Sequence, residues 1–565
     1  MTDVTHTSRS PGFERRPVRT PGVDRALVVV AVLASVVGTL LRFWPRRSLW
    51  LDEALSVNIA ELPLGDIPAA LKRDGHPPLY YVLLHLWSLG GSSDWWVRAL
   101  SGLVATAGLP LAYLAGARLG RRATSTGLGS RRTGLLVLSL WAVLPFAVRY
   151  GAEARMYALV STLVLVAYLL VDGLVAEPGS GRMHPLAAPG TTARKLHATG
   201  LALVTAALLY SHYWALWLGA ATALVVAVIG LQTLDGDRRS GAWTALGAMA
   251  AGVVLFVPWM PTMLYQSSHT GTPWGEVFRP ATMLVVSVTD FVGGGFGEMQ
   301  VMSYALVFAI TVAVIGSIRD RSGKQVIELT GRPGPRIAGE LSVFLLTMAV
   351  GWATAMVASA TYASRYAAVV APLFALCAGA GLAMIRTRRA TWVLTALVCT
   401  ALVVGSVAEV VTDRTQARVV ADALATDLAE SAAARGDAGG TTEALVLTCP
   451  DQLAPATERA LDNAGVEATV VPFPEGSPLF VDWVDYAERN QAADPVGFVA
   501  GALADSDGDT PVYAVVNTGY KTFEGKCDAL VSALATDGAG MEILVEGDAD
   551  NFFEGMALWA RRAGN

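Results

Sequence analysis

Hydrophobic residues in the first four hundred positions come in long runs, not in the alternation of a strand or the stripe of a surface helix. Runs near twenty residues predict helices that cross a membrane, and Lys and Arg in the loops between them give the orientation. The spans expected on this basis are 24–44, 95–117, 133–148, 156–176, two within 199–231, then 242–262, 302–318, 340–358, 367–385 and 391–411. One helix over 199–231 would be about 50 Å long at 1.5 Å per residue. A hairpin with its outer turn at Tyr210-Ser211-His212-Tyr213-Trp214 also keeps Arg238 and Arg239 inside. The result is eleven spans, N-terminus inside and C-terminus outside, with every Arg-rich loop on one side. Pro77 to Gly90 is apolar but shorter than the ~20 residues a crossing needs, which predicts an interfacial or re-entrant helix.

The pattern changes after residue 411. Ala444 to Thr448, Ala468 to Val471 and Val512 to Val516 read as strands; Ala529 to Ala535 and Glu554 to Arg562 read as helices. That alternation predicts a small α/β domain. The chain divides into a disordered cytoplasmic tail (1–23), a transmembrane domain (24–411) and a soluble extracytoplasmic α/β domain (412–565), with a loop at Arg435-Gly436-Asp437-Ala438-Gly439-Gly440.

Composition agrees with this division. Of 565 residues, 53% are hydrophobic and 16% charged, and mean hydropathy is +0.46, as in a polytopic helical membrane protein. The net charge of −5 hides a split. Bases outnumber acids 33 to 21 up to residue 411, and acids outnumber bases 26 to 9 beyond it. The start of the chain, with Arg9, Arg15, Arg16, Arg19 and Arg25, reads as a basic tail and not as a cleaved signal. Nothing in this charge pattern calls for nucleic acid; the expected surroundings are membrane lipids. Cys377 and Cys399 fall in apolar spans. Cys449 and Cys527 fall in the outer domain, where an oxidising compartment would let them pair or leave them free.

The chemistry concentrates on the outer side. Asp52 and Glu53 lie just past the first span, and Asp74 and His76 follow about twenty residues later. Carboxylates at a membrane surface are costly unless used. Glu153, Arg155 and Tyr157 lie in the turn between two spans, and Arg365 and Tyr366 in a later outer loop. Arg98, near a span end, is a structural or a site residue and has Asp94 as a candidate partner; Glu153 and Arg155 are candidates to pair with each other. Carboxylates suit proton removal from a hydroxyl, and Arg and His suit a departing phosphate. No nucleotide phosphate loop, zinc motif or Ser-His-Asp pattern is apparent.

Five elements in order, Trp50-Leu51-Asp52-Glu53, His76-Pro77-Pro78-Leu79-Tyr80-Tyr81, Trp96-Val97-Arg98-Ala99-Leu100-Ser101, Glu153-Ala154-Arg155-Met156-Tyr157 and Ser364-Arg365-Tyr366 followed by Pro372, carry a resemblance. Over about the first 390 residues the chain resembles the GT-C superfamily of polyprenyl-phosphate-sugar-dependent glycosyltransferases. The branch is that of protein O-mannosyltransferases, aminoarabinose transferases and their actinobacterial relatives. The resemblance implies an inverting transferase with its site on the outer membrane face. Asp52 would be the base that activates the acceptor, and Glu53 would orient the acceptor or support the base. His76, Arg155, Arg365 and Tyr366 would meet the donor phosphate. Asp74, Tyr80, Tyr81, Glu153, Tyr157 and His212 would line the substrate cleft. Some members use a divalent metal and others do not, so a metal is admitted and no cofactor is required. The implied donor is a polyprenyl-phosphate sugar, mannose first and arabinose or another pentose next. The implied acceptor is an envelope glycan, glycolipid or protein. A lipid-linked sugar flippase and a non-catalytic envelope scaffold are the alternatives.

Overall fold

The computed structural model describes residues 24–45, 47–122, 129–175, 191–271, 279–294, 298–321, 324–329, 336–357, 362–385, 387–435, 443–507, 509–536 and 538–562. The expected tail 1–23 and the loop 436–440 lie outside them.

Among the described residues seven helices are each long and apolar enough to cross a membrane: Arg25–Arg42, Asp94–Arg122, Tyr157–Val175, Trp214–Gln232, Gly236–His269, Ala338–Met356 and Arg388–Val411. The pair Ser130–Val143 and Pro145–Gly151 passes only when taken together, and it bends by 56°. Thr191–Leu209, Glu298–Ile315 and Ala371–Ala383 fall on the other three expected spans. They do not pass as crossings by themselves, so among the described residues seven or eight helices qualify by length and composition, while a helix stands at each of the eleven expected spans. Ala371–Ala383 shows why: it is only 13 residues long and every one of them is buried among other helices. The hairpin is present, with Leu209 and Trp214 bounding its turn. Val29, Val32, Leu33, Val36 and Leu40 of the first helix face outward, as lipid-facing residues do, while Leu27, Ala31, Ala34 and Gly38 face the bundle.

The bend before Pro145 matters for the site. Proline has no N–H to give to the carbonyl of Trp141, and Leu144 before it is extended. Arg42 satisfies the exposed backbone: Nη1 donates to the carbonyls of Ala142 at 2.8 Å and Gly38 at 2.7 Å, and Nη2 reaches that of Trp141 at 3.4 Å. Gly38 allows this approach, since a Cβ there would stand 1.9 Å from the Ala142 carbonyl oxygen. The bent segment then delivers the irregular turn 152–156, which carries Glu153 and Arg155.

The region between the first two long helices folds into three short helices, Leu51–Glu61, Ile67–Asp74 and Leu79–Ser88. The last falls within the apolar run starting at Pro77 and buries Tyr80, Tyr81 and Leu84. Two further features were not read from sequence. The basic loop after Ile315 holds an antiparallel pair, Gly316–Arg321 with Lys324–Leu329. The stretch 263–300 holds helix Pro280–Phe291 and the end of helix Met260–His269.

Beyond Val411 the chain forms helix Ala417–Arg435 and a five-stranded sheet. Ala444–Cys449 pairs in parallel with Ala468–Pro472 on one side and Val512–Val516 on the other. Ala557–Arg562 then pairs antiparallel with Val512–Val516, and Gly540–Val545 forms the edge. The helix expected over Glu554 to Arg562 is therefore a strand. Its Ala, Leu and Arg favour helices, but Leu558 and Ala560 are buried while Ala557, Trp559 and Arg561 are only half-buried, a period of two that fits a pleat. Side chains alternate across the sheet. Leu445, Leu447, Val512, Ala514 and Val516 pack under Val499, Leu530 and Leu534, and Trp50, Leu51 and Leu55 of the membrane domain join that layer. Ala444, Val446, Tyr513 and Val515 pack against Val420, Leu424, Leu453 and Leu461. Cys449 and Cys527 are joined as a disulfide; Cys377 and Cys399 are free and buried.

Candidate active site

Asp52 and Glu53 leave the same helical turn in different directions, and their surroundings separate their roles. Glu53 is fully buried. Its Oε1 accepts Arg98 Nε–H at 2.7 Å and the Ala154 N–H at 2.9 Å, and its Oε2 accepts Arg98 Nη2–H at 2.7 Å. Arg98 also donates to the carbonyls of Arg47 and Ser48. Glu53 thus ties the helix of Asp52 to helix Asp94–Arg122 and to the turn 152–156. Of the two roles expected of it, the geometry fits support of the base, since protein donors already engage both oxygens. Arg98 pairs with Glu53 and not with Asp94, which binds Arg459 of the outer domain at 2.7 Å.

The Asp52 side chain is 14% exposed. Its Oδ2 lies 3.6 Å from Arg155 Nη2 and 3.6 Å from Arg365 Nη1, and it accepts no hydrogen bond among the described residues. Burial works to raise this carboxyl, but Arg365, Arg155 and His76 together hold it below the ordinary aspartate value. Arg155 is fixed: Nη1 donates to Ser56 Oγ at 2.9 Å and to the Asp52 carbonyl at 3.1 Å, and Nη2 reaches His76 Nε2 at 3.3 Å. On the other side of the ring, His76 Nδ1 lies 2.9 Å from Asp74 Oδ2. Tyr81 donates to that same oxygen at 2.9 Å. Burial tends to raise the Asp74 carboxyl too, and His76, Arg155 and Tyr81 turn the balance downward. Asp74, Tyr81, His76, Arg155 and Asp52 therefore form one polar relay.

Arg365, in the short 3₁₀ helix Ser364–Val369, is more open, its side chain 23% exposed. Its guanidinium carbon stands 6.0 Å from the centre of the Tyr366 ring and 5.9 Å from that of Trp50. Nε–H of Arg155 and of Arg365 finds no acceptor among the described residues. His212 sits between Tyr157 and Tyr366, tilted to both, with ring centres 5.7 and 5.4 Å away. Its Nδ1 accepts the Trp214 N–H, so its proton lies on Nε2. Burial, reinforced by His76, Arg155 and Arg365, pushes it down to about 3.

Two expected site residues face elsewhere. Tyr80 gives its hydroxyl to a contact with Ser101 Oγ at 2.9 Å. Glu153 does not pair with Arg155. It meets Arg47 at 3.1 Å, Arg414 at 3.3 Å and Arg149 at 3.5 Å, in a buried network that also holds Asp290 and Glu409. Sequence reading missed Arg47, Arg149 and Arg414, which lie on three separate segments (Arg149 on the helix Pro145–Gly151), and Ser56, one helical turn after Asp52.

Among the described residues no three His, Cys, Asp or Glu side chains come together to hold a metal ion. Asp52 is matched by two guanidiniums, an environment that suits an anion and repels a divalent cation. The residues present do not fit the metal that the resemblance admits.

Neither a known protein family nor a curated relative matches the chain by sequence. Solved structures do match by shape. ArnT from Cupriavidus metallidurans bound to undecaprenyl phosphate superposes with a TM-score of 0.54 at 13% identity, over 94% of this chain and 97% of that one. Its apo state gives 0.52, also at 13% identity and with the same coverage. Arabinofuranosyltransferase AftD from Mycobacteria gives 0.46 at 15% identity, over 96% of this chain and 40% of that one. These neighbours are GT-C glycosyltransferases, and the chain is a multi-pass membrane protein that shares the fold of ArnT.

Proposed function

We propose that the chain is an inverting glycosyltransferase. It moves a sugar from a polyprenyl monophosphate carrier to a hydroxyl of an envelope glycan, glycolipid or protein on the extracytoplasmic side. Mannose is the first donor to test and arabinose the second. One observation carries the reading: a partly exposed carboxylate, Asp52, faces two guanidiniums at 3.6 Å from its Oδ2, which accepts no hydrogen bond among the described residues.

Arg155 and Arg365 would take the donor phosphate in place of the Asp52 oxygen, using the Nε–H groups that have no acceptor among the described residues. That exchange frees Asp52. Its carboxylate accepts the proton of the acceptor hydroxyl as the oxygen attacks the anomeric carbon from the face opposite the phosphate. The carbon–oxygen bond to the phosphate breaks with its electron pair, and the two arginines neutralise the charge that develops there. The configuration inverts in one step. Asp74 and His76 hold Arg155 in place for this exchange. The Cys449–Cys527 disulfide supports an oxidising, extracytoplasmic location for the outer domain and for the cleft beneath it.

The test is sugar transfer in membranes from radiolabelled polyprenyl-phosphate mannose and arabinose, with wild type beside Asp52→Asn. Transfer by the wild type that the inserted variant lacks is the expected result. Equal transfer by both proteins removes Asp52 as the base. Carrier binding without transfer from either donor moves the reading to a flippase.

A further inference from the structure

The helix that carries Asp52 starts without a cap of its own. Trp50 precedes it and its side chain cannot accept a hydrogen bond. The cap comes from the other end of the chain. Leu51 N–H donates to Glu554 Oε1 at 2.9 Å across a separation of 503 residues. Glu554 is fully buried, and its Oε2 has no partner among the described residues. It sits in the loop 546–556 that joins the last two strands of the outer sheet.

That loop is held from several sides. Glu554 N–H donates to the Arg414 carbonyl at 2.7 Å, and the Glu554 carbonyl accepts from Gln416 N–H at 3.1 Å. Gln416 Oε1 accepts from Asp548 N–H at 3.0 Å and Met556 N–H at 2.9 Å. Phe553 stands edge-on to Trp50 with ring centres 5.5 Å apart. The loop is thereby pinned against the residue next to Asp52.

We propose that Glu554 is a positioning residue for Asp52, by which the outer domain fixes the first turn of the catalytic helix; this rests on the reading of Asp52 as the base. A cap at the Leu51 amide sets where the next residue points, and small displacements of a reacting group cost rate. The groups facing Glu554 are Leu51 and Asp52 on the helix, Arg414 and Thr415 on the linker, and Tyr520 on the sheet domain. Burial, with Asp52 adding to it, carries Glu554 up to about 8, so at neutral pH it caps the helix as the uncharged acid. A neutral cap adds no second negative charge beside Asp52.

The experiment uses the full chain in lipid nanodiscs and compares wild type, Glu554→Ala, Glu554→Gln, Glu554→Asp and Asp52→Asn. It measures kcat, donor KM and amide exchange over 47–56. Glu554→Ala is expected to lower kcat roughly tenfold or more, leave donor KM within about twofold and speed exchange of the first helical turn. Glu554→Gln keeps an acceptor oxygen without charge and is expected to recover most of that loss. Glu554→Asp withdraws the oxygen by one methylene and behaves like Ala, which keeps the test valid if the Ala variant does not fold. A Gln variant as slow as Ala, or unchanged exchange over 47–56 in both Ala and Asp variants, overturns the proposal. If Asp52→Asn transfers sugar as well as wild type, the reading of Asp52 falls instead, while exchange still reports the cap.

Discussion

Glu53 and Arg98 form a two-pronged ion pair, Nε to Oε1 and Nη2 to Oε2, both at 2.7 Å and both side chains out of solvent. Asp52, the adjacent carboxylate, has loose ion pairs at Oδ2 and, among the described residues, no hydrogen bond to that oxygen. Two neighbouring acids of similar intrinsic strength thus differ in role. One is consumed in joining three segments of the fold, and the other is the base of the proposed reaction.

Breaking the Glu53–Arg98 pair strands a buried charge, which costs about 3–5 kcal/mol. Arg98→Lys cannot restore the fork and also loses the donors to the Arg47 and Ser48 carbonyls. Glu53→Gln and Arg98→Lys are expected to lower Tm and the yield of inserted protein, with surviving protein keeping donor affinity. Thermal unfolding in detergent beside a carrier-binding assay checks this. A Glu53→Gln variant of normal Tm and no transfer would instead give Glu53 a direct chemical role.

In the proposed reaction Asp52 competes with the carrier phosphate for Arg155 and Arg365. Asp52→Asn is expected to lose about 10²–10⁴-fold in kcat while binding polyprenyl monophosphate at least as tightly as wild type. Arg365→Ala removes charge-assisted bonds to the phosphate and is expected to weaken binding about tenfold or more. Calorimetric titration with the carrier phosphate separates the two. Weaker binding by Asp52→Asn than by wild type contradicts the exchange.

Much of this site is legible in the sequence because motif residues sit at fixed offsets from span ends. Asp52, His76, Arg155 and Arg365 were expected on one side and the fold joins them in one cluster. Glu153 was misjudged for a physical reason. Arg155 is its near neighbour in sequence, but the turn at 152–156 sends the two side chains apart, and Glu153 meets arginines from positions 47, 149 and 414. Nothing in a local pattern signals Glu554, whose partner is 503 residues away. The last strand was missed because Ala, Leu and Arg carry a helical propensity that pairing with Val512–Val516 overrides.

The disulfide between Cys449 and Cys527 closes a loop with a sequence separation of 78. Loop-closure entropy of that size corresponds to about 4 kcal/mol. Cys449→Ser is expected to destabilise the outer domain, seen as faster proteolysis of residues beyond 412, before the membrane helices lose structure. Since Cys449 packs in the layer with Trp50 and Leu55, transfer activity should fall with it. Unchanged proteolysis in the Ser variant, or under mild reductant, would show that packing alone holds the sheet.

The outer domain should lose stability as pH rises toward 8. Burial lifts Asp451 to about 7 and Glu554 to about 8, from ordinary values near 3.8 and 4.5. Between its unfolded and folded values each group holds its proton in the folded state and has lost it in the unfolded one. Folded protein then binds more protons, so stability falls with rising pH, on the order of 1 kcal/mol per pH unit for each group. The loss runs from about pH 4 to 7 for Asp451 and from about pH 4.5 to 8 for Glu554, then stops. Asp52 and Asp74, held low, act in the opposite sense and lose their contribution only as pH falls below about 4. Tm is therefore expected to be highest near pH 4, to decline to pH 8 and to level off beyond. Glu554→Gln removes one titrating group and should flatten the segment from pH 7 to 8, leaving the slope below pH 7 that Asp451 supplies. A Tm that rises from pH 5 to 8 in the wild type, or a Gln variant with the wild-type slope above pH 7, would show that Glu554 is ionised in the folded protein.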